Sequence, residues 1–145
     1  MSTVRQMEQS YVGPAFAAAK VRDAMRLGVI TCRPETKLTD VARMMVGYDV
    51  HSVVVADVDP HRGLWGIVTS LDLARAAGEL DSLTARELAT TDLITIRSDE
   101  PLQRAAEVMA EHGVTHLIVV QPDSDDPVGV ISARAIAGAV AYGRS

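Results

Sequence analysis

Val29-Ile30-Thr31-Cys32-Arg33-Pro34-Glu35-Thr36-Lys37-Leu38 returns about 64 residues later as Leu93-Ile94-Thr95-Ile96-Arg97-Ser98-Asp99-Glu100-Pro101-Leu102. The correspondence continues from there. Val41-Ala42-Arg43-Met44-Met45 matches Ala105-Ala106-Glu107-Val108-Met109, and Val53-Val54-Val55 matches Leu117-Ile118-Val119. It closes with Gly66-Ile67-Val68-Thr69 against Gly129-Val130-Ile131-Ser132. A duplicated unit of this size packs against its twin and leaves clefts along the pseudo-two-fold seam, so the repeat predicts where a ligand would sit.

Each copy reads as strand, helix, strand, strand, helix. In the first, Val29 to Thr31 is a short strand, and Val41, Met44, Met45 and Tyr48 give Thr39 to Tyr48 the three-and-four spacing of an amphipathic helix. Ser52 to Ala56 is a β-branched run suited to a buried strand. The Pro, Asp and Gly of residues 57–63, His61 among them, mark a turn into a strand from Leu64 to Val68, with a helix over Ser70 to Leu80 beyond it. In the second copy, Leu93 to Ile96 is a strand. A helix from Pro101 to His112 carries proline in its first turn, and Gly113 supplies a left-handed cap. Strands His116 to Val120 and Val128 to Ile131 follow across the polar turn 121–127, and Ala133 to Tyr142 is the last helix. Ala15-Phe16-Ala17-Ala18-Ala19-Lys20 is expected to run as helix into Val21-Arg22-Asp23-Ala24-Met25. The organisation is thus a leader over 1–20, a first repeat over 21–80 and a second over 81–145.

Composition narrows the function. Hydrophobic residues make up 48% of the 145 but aromatics only 3%, so the core is built from Val, Ile, Leu, Ala and Met. A formal charge of −5 offers no basic field for nucleic acid or an anionic membrane. One cysteine, Cys32, excludes an internal disulfide and a cysteine-rich metal site, and reads as a small buried hydrophobe. Val12 to Ala19 is too short and too interrupted by Gly13 and Pro14 for a secretory signal, and no stretch reaches the roughly 20 apolar residues of a membrane span. A cytoplasmic location is expected. No nucleophile has an adjacent base, and there is no phosphate-binding glycine loop, HExxH or CxxC pair; no catalytic or metal-binding residue is expected.

The order Val21-Arg22-Asp23-Ala24-Met25, Leu38 to Met45, Val50 to Val55 and Gly66-Ile67-Val68-Thr69-Ser70-Leu71-Asp72 resembles a cystathionine-β-synthase-type (CBS) repeat. Its second occurrence makes residues 18 to 142 resemble a CBS pair, or Bateman module. One departure is the proline often found at the start of the second strand, replaced by Val54 and Ile118. The resemblance implies an α+β fold of two β-α-β-β-α units joined through their sheets. It also implies a regulatory module without chemistry of its own or a required cofactor, which binds AMP, ADP, ATP or S-adenosylmethionine and dimerises into a flat disc. An unidentified protein target would receive the signal. The alternative is a ligand-free dimerisation or adaptor module whose Ala-rich leader, Phe16 included, docks a partner.

Thr69-Ser70-Leu71-Asp72 is the sharpest local motif and carries two readings. One is a helix cap, with Thr69 as N-cap and Asp72 favoured by the helix dipole. The other, which the resemblance implies, is a ribose site in which Asp72 accepts from both sugar hydroxyls while Thr69 fixes the sugar and backbone; a carboxylate has acceptor sites for both. The resemblance adds Leu93, Ile94 and Thr95 as adenine-lining residues, with Val114, His116, Ile118 and Ile67. For the apolar members, core packing is the competing reading. His51 and Arg134 are the phosphate candidates, Arg134 through its bidentate geometry. A second cleft would use Val29, Ile30, Thr31, Val50, Ser52, Val130 and Ser132. There Ala135 replaces Asp72 and Thr115 replaces His51, so the full set of contacts occurs once and the second cleft is expected to bind weakly or not at all.

Overall fold

A computed structural model describes residues 11–56 and 64–144; the expected turn 57–63, with His61, and leader residues 1–10 lie outside the described residues. In chain order the first half holds α1 (Val21–Ala24), β1 (Arg26–Leu27), β2 (Thr31–Cys32), α2 (Leu38–Tyr48), β3 (Ser52–Ala56), β4 (Leu64–Thr69) and α3 (Ser70–Arg75). A 3₁₀ turn (Ala77–Glu79) and α4 (Ala85–Leu88) precede β5 (Thr95–Arg97), α5 (Leu102–His112), β6 (His116–Val120), β7 (Pro127–Ser132) and α6 (Ala133–Tyr142). The architecture is α+β, with the β-α-β-β-α order given twice.

Two compact units divide the chain. Val29–Leu93 form one, and the described residues up to Gly28 join Ile94 onward in the other. The first carries a three-stranded sheet of order β2-β3-β4, the second a four-stranded sheet of order β1-β7-β6-β5. In both, a parallel pair (β2 with β3, β5 with β6) adjoins an antiparallel one (β3 with β4, β6 with β7). One helical stripe fills each core. Leu38, Val41 and Met45 of α2 meet Val53, Val55 and Val68, while Leu102, Ala105, Val108 and Met109 of α5 meet Leu117, Val119 and Ile131. Both helices end on a left-handed residue, Gly113 (φ 64°) as expected and Asp49 (φ 54°) at the matching position of the first copy.

Compact units and sequence repeats are offset, because each repeat's opening segment packs in the other unit. In the unit of Val29–Leu93, Leu38 N–H donates to Leu83 O (3.2 Å), Ala85 N–H to Thr36 O (2.8 Å) and Arg86 N–H to Pro34 O (2.9 Å). In the other unit, Leu102 N–H donates to Ala19 O (2.9 Å), Val21 N–H to Glu100 O (2.9 Å) and Arg22 N–H to Ser98 O (3.0 Å). The backbone therefore repeats bond for bond. The segments continue across the sheets, where Thr90 bridges Ile67 of β4 and β1 pairs antiparallel with β7, Arg26 opposite Val130 and Leu27 opposite Gly129. Glycine at Gly66 and Gly129 follows from this crossing. A Cβ on Gly66 would lie 2.8 Å from Ala89 Cβ, and one on Gly129 would collide with the Arg26 carbonyl.

The structure corrects several expected boundaries. Ala15 to Lys20 is not a helix: residues 16–18 turn, and Lys20 is extended (φ −107°, ψ 163°) where it bridges Pro101. Backbone pairing outweighs alanine's helix propensity there. The helix expected over 70–80 stops at Arg75 and resumes as the 3₁₀ turn containing Gly78, a poor helix former. Pro101 is the N-cap of α5 rather than a first-turn residue. Val54 and Ile118, at the positions where the resemblance leads one to expect proline, donate N–H to Ile30 O (2.9 Å) and Ile94 O (3.0 Å), bonds for which proline has no hydrogen.

Candidate functional site

At the β4–α3 junction the chain turns from strand to helix at Thr69 (φ −107°, ψ 165°). The turn is held by a reciprocal cap. Thr69 Oγ1 accepts from Asp72 N–H (3.3 Å), and Asp72 Oδ2 accepts from Thr69 N–H (2.8 Å) and from Thr69 Oγ1–H (3.0 Å). Ser70 N–H donates to His51 O (2.9 Å), so His51 contributes its backbone to the same turn while its side chain is exposed. The first-turn carboxylate also faces the positive end of the helix. Asp72 is half-buried, and among the described residues no group donates to its Oδ1. The capping reading therefore holds, and it leaves half of the carboxylate's acceptor capacity unspent.

The β7–α6 junction copies the backbone and omits the acid. Ala133 N–H donates to Thr115 O (2.8 Å), as Ser70 does to His51, and Ser132 Oγ accepts from Ala135 N–H (3.2 Å). Ala135 stands where Asp72 stands in the first copy, so no carboxylate is present. Arg134 is exposed in the first turn of α6.

The remaining candidates fall into cross-strand rows. In the unit of Val29–Leu93, Thr31 pairs with Val54 and Val54 with Ile67, while Ser52 pairs with Thr69. In the other unit, Thr95 pairs with Ile118 and Ile118 with Val130, while His116 pairs with Ser132. Residues paired in register share a face, and alternation puts these opposite the face of Val53, Val55, Leu117 and Val119, which packs into the cores. Sequence reasoning missed Val54, which fills the middle of its row as Ile118 does in the other; their equivalence in the repeat was the available signal. Leu93, Ile94 and Thr95 are divided: Leu93 ends one unit, Ile94 opens the other, and β5 begins only at Thr95. Val29, Ile30 and Val50 are half-buried beside β2 and β3, and Val114 is half-buried just before β6. The His116 ring, Nδ1 2.9 Å from Thr115 Oγ1, is held by its neighbour.

Cys32 is buried, and burial pushes its thiol above the ordinary range, partly offset by a hydrogen bond with the Thr36 side chain. That fits a packing role. The described residues contain no group of three His, Cys, Asp or Glu able to hold a metal, and no helix among them is long and apolar enough to cross a membrane. Phe16 and Ala19 of the expected leader pack against the core of their own unit.

Comparison with known proteins matches the CBS domain model twice, over residues 21–79 and 85–142. A crystal structure of the CBS domain pair of protein MJ0100, in complex with 5'-methylthioadenosine and S-adenosyl-L-methionine, is 27% identical with a TM-score of 0.70, covering 82% of this chain and 93% of that one. An uncharacterized conserved protein from Pyrococcus horikoshii shares the fold (TM-score 0.75, 23% identity, 89% and 96% covered). Among curated relatives, a homoserine O-acetyltransferase of Methanocorpusculum labreanum is 30% identical over 126 residues, 86% of this chain. An L-aspartate semialdehyde sulfurtransferase of Methanocaldococcus jannaschii is 28% identical over 116 residues, 80% of this chain. The matches take up 25% and 22% of those two proteins, so the chain spans about a quarter of their length.

Proposed function

The chain belongs to the CBS domain family, and on that premise we propose that it is a regulatory module that binds an adenosine-containing small molecule. The observation that carries this reading is Asp72, a carboxylate fixed by Thr69 on one oxygen and open on the other. An acceptor of that kind suits a ribose diol, since both sugar hydroxyls are donors. The likeness to a CBS pair crystallised with 5'-methylthioadenosine and S-adenosylmethionine supports adenosine as the common element and makes those two compounds candidates beside AMP, ADP and ATP. Within the unit that carries Asp72, Ile67 is the proposed base-side residue, with His51 for phosphate where the ligand carries one. Ser132 with Ala135 lacks the acid, so binding that depends on it is weaker by roughly one to two decades.

The module itself performs no reaction under this proposal. It alters a protein target by favouring one arrangement when liganded, and it pairs with a second copy of itself. Isothermal titration with the five compounds tests the reading, with light scattering to read the assembly state. Saturable heat with at least one adenosine compound, lost in Asp72→Ala, is expected. Absence of heat and of any thermal shift with all five rejects it.

A further inference from the structure

The two copies of the repeat are closed differently beyond their last helices. In the first, the chain from Ser70 to Thr84 is continuous, running through α3 and the 3₁₀ turn to Leu83. In the second, the counterpart of that run comes from two places: α6 with Gly143 and Arg144 supplies its beginning, and Ala15 to Lys20 supplies its end. The backbone bonds fix the match. Ala18 N–H donates to Ala15 O (2.9 Å) as Ser82 N–H does to Glu79 O (3.1 Å), and Ala19 O takes Leu102 N–H as Leu83 O takes Leu38 N–H. Where the first copy has peptide bonds, the second has two hydrogen bonds, Ala15 N–H to Arg144 O (2.8 Å) and Arg144 N–H to Gly13 O (2.9 Å).

Tyr11 to Pro14 reinforce that joint. Tyr11 is 7% exposed and sits in the core of its unit, while the next residue, Val12, is 74% exposed. The Tyr11 hydroxyl donates to Pro14 O (2.6 Å), which folds the segment back on its own ring. Three glycines make the room. A Cβ on Gly13 would lie 2.8 Å from the Tyr11 hydroxyl oxygen, one on Gly138 3.3 Å from Tyr11 Cβ, and one on Gly143 2.5 Å from Ala15 Cα. Tyr11–Ala15 is thus fitted closely to the end of α6, yet one buried side chain and two backbone bonds hold it there.

From this we infer that Tyr11–Ala15 is a latch: a strap that clasps the end of α6 and releases by itself while the rest of its unit stays folded. Segments held by few buried groups and few backbone bonds are those that open locally. Release uncovers the seat of Tyr11 beside Gly138 and frees Gly143 and Arg144. Anything that prefers the released form shifts the equilibrium towards it. Only one unit can be switched in this way, because the matching joint of the first copy is continuous chain.

Amide hydrogen exchange on the full chain, followed by NMR without and with low urea, tests the latch. Ala15 and Arg144 are expected to share one protection factor. It lies about tenfold or more below that of Ile118, whose N–H donates to Ile94 O (3.0 Å) in the same unit. Low urea leaves the first two rates unchanged, because local release exposes little surface, and raises that of Ile118. Tyr11→Phe removes one neutral hydrogen bond and lowers the protection of Ala15 and Arg144 by a common factor of about two to ten. Tyr11→Ala abolishes their protection, while Ile118 stays protected and loses no more than the wild-type protection factor of Ala15. If Ala15 and Arg144 follow the urea response of Ile118 in the wild type, they open only with the whole fold and the latch is overturned. A Tyr11→Ala protein in which both stay protected overturns it, as does one in which Ile118 is left unprotected with them. Different factors at the two amides in Tyr11→Phe also overturn it. No ligand enters the measurement, so its outcome is independent of the adenosine proposal.

Discussion

Replacing Gly129 by alanine asks whether β1 lies where its pairing with β7 puts it. Gly129 opposes Leu27 in the antiparallel ladder, and a Cβ added there collides with the Arg26 carbonyl and comes within 3.4 Å of Met25 Sδ. Its backbone is not left-handed, unlike that of Gly113, so removing unfolded-state freedom alone would stabilise the alanine variant by about 0.4–1 kcal/mol. Forcing a methyl group into an occupied site costs about 1–3 kcal/mol. The backbone carbonyl cannot swing aside as a flexible side chain would, which places the cost in the upper part of that range and the net destabilisation at about 1–2 kcal/mol. With a urea m-value of about 1–3 kcal/mol/M, the unfolding midpoint drops by about 1 M. Gly113→Ala is the companion variant. Nothing lies within 4 Å of its added Cβ, but φ of +64° carries the left-handed penalty of about 1–2 kcal/mol. The two variants lose similar stability for different reasons, and amide exchange tells them apart. Only Gly129→Ala frees the Gly28 N–H that donates to Val128 O at 2.8 Å, while the β6–β7 ladder keeps its protection. A Gly129→Ala protein as stable as the wild type refutes the assignment of β1 to that sheet edge.

Other expectations follow from the same packing. Gly66→Ala also destabilises, by about 1 kcal/mol, because its methyl meets the Ala89 side chain at 2.8 Å and Thr90 O at 3.3 Å; the urea midpoint reads it. Leu38 and Leu102 are fully buried at matching positions, so either alanine variant loses about 2–5 kcal/mol in urea unfolding, and a loss below 1 kcal/mol would contradict that burial. Cys32 reacts with iodoacetamide far more slowly in the native protein than in urea at the same pH, since its thiol is covered. Its native pKa lies above the unfolded one, so its contribution is complete below the ordinary thiol pKa and is lost as pH rises past it. Comparison with Cys32→Ala at neutral and alkaline pH measures that loss as a steeper decline in the wild type.

How far the sequence could be read depended on whether the deciding interactions were local. The strands around Val53 and Leu117 announce themselves as continuous apolar runs and the two long helices by their three-and-four spacing, and the repeat gives each twice. Segments of two to four residues do not. Nothing within Ala15 to Lys20 reveals that Ala19 O is claimed by Leu102 N–H, or that Lys20 must extend to bridge Pro101, so helix propensity misleads there. Gly66 and Gly129 were visible as matching letters, yet the reason for them sits in Thr90 and Arg26, far along the chain and in the opposite repeat. The same limit governs the candidate site. Thr69 and Asp72 are three residues apart, a spacing that announces both a cap and a carboxylate. It could not say that both Thr69 donors converge on one oxygen. That convergence is the physical reason the two readings can coexist, because a cap that consumed both oxygens would leave no acceptor for a sugar. Ala135 then becomes more than a missing contact. With a serine cap of the same backbone geometry and no acid beside it, the second copy shows that the fold does not require the carboxylate. The first copy keeps at Asp72 an acid with one oxygen to which no group of the described residues donates, and the adenosine-binding proposal rests on that oxygen.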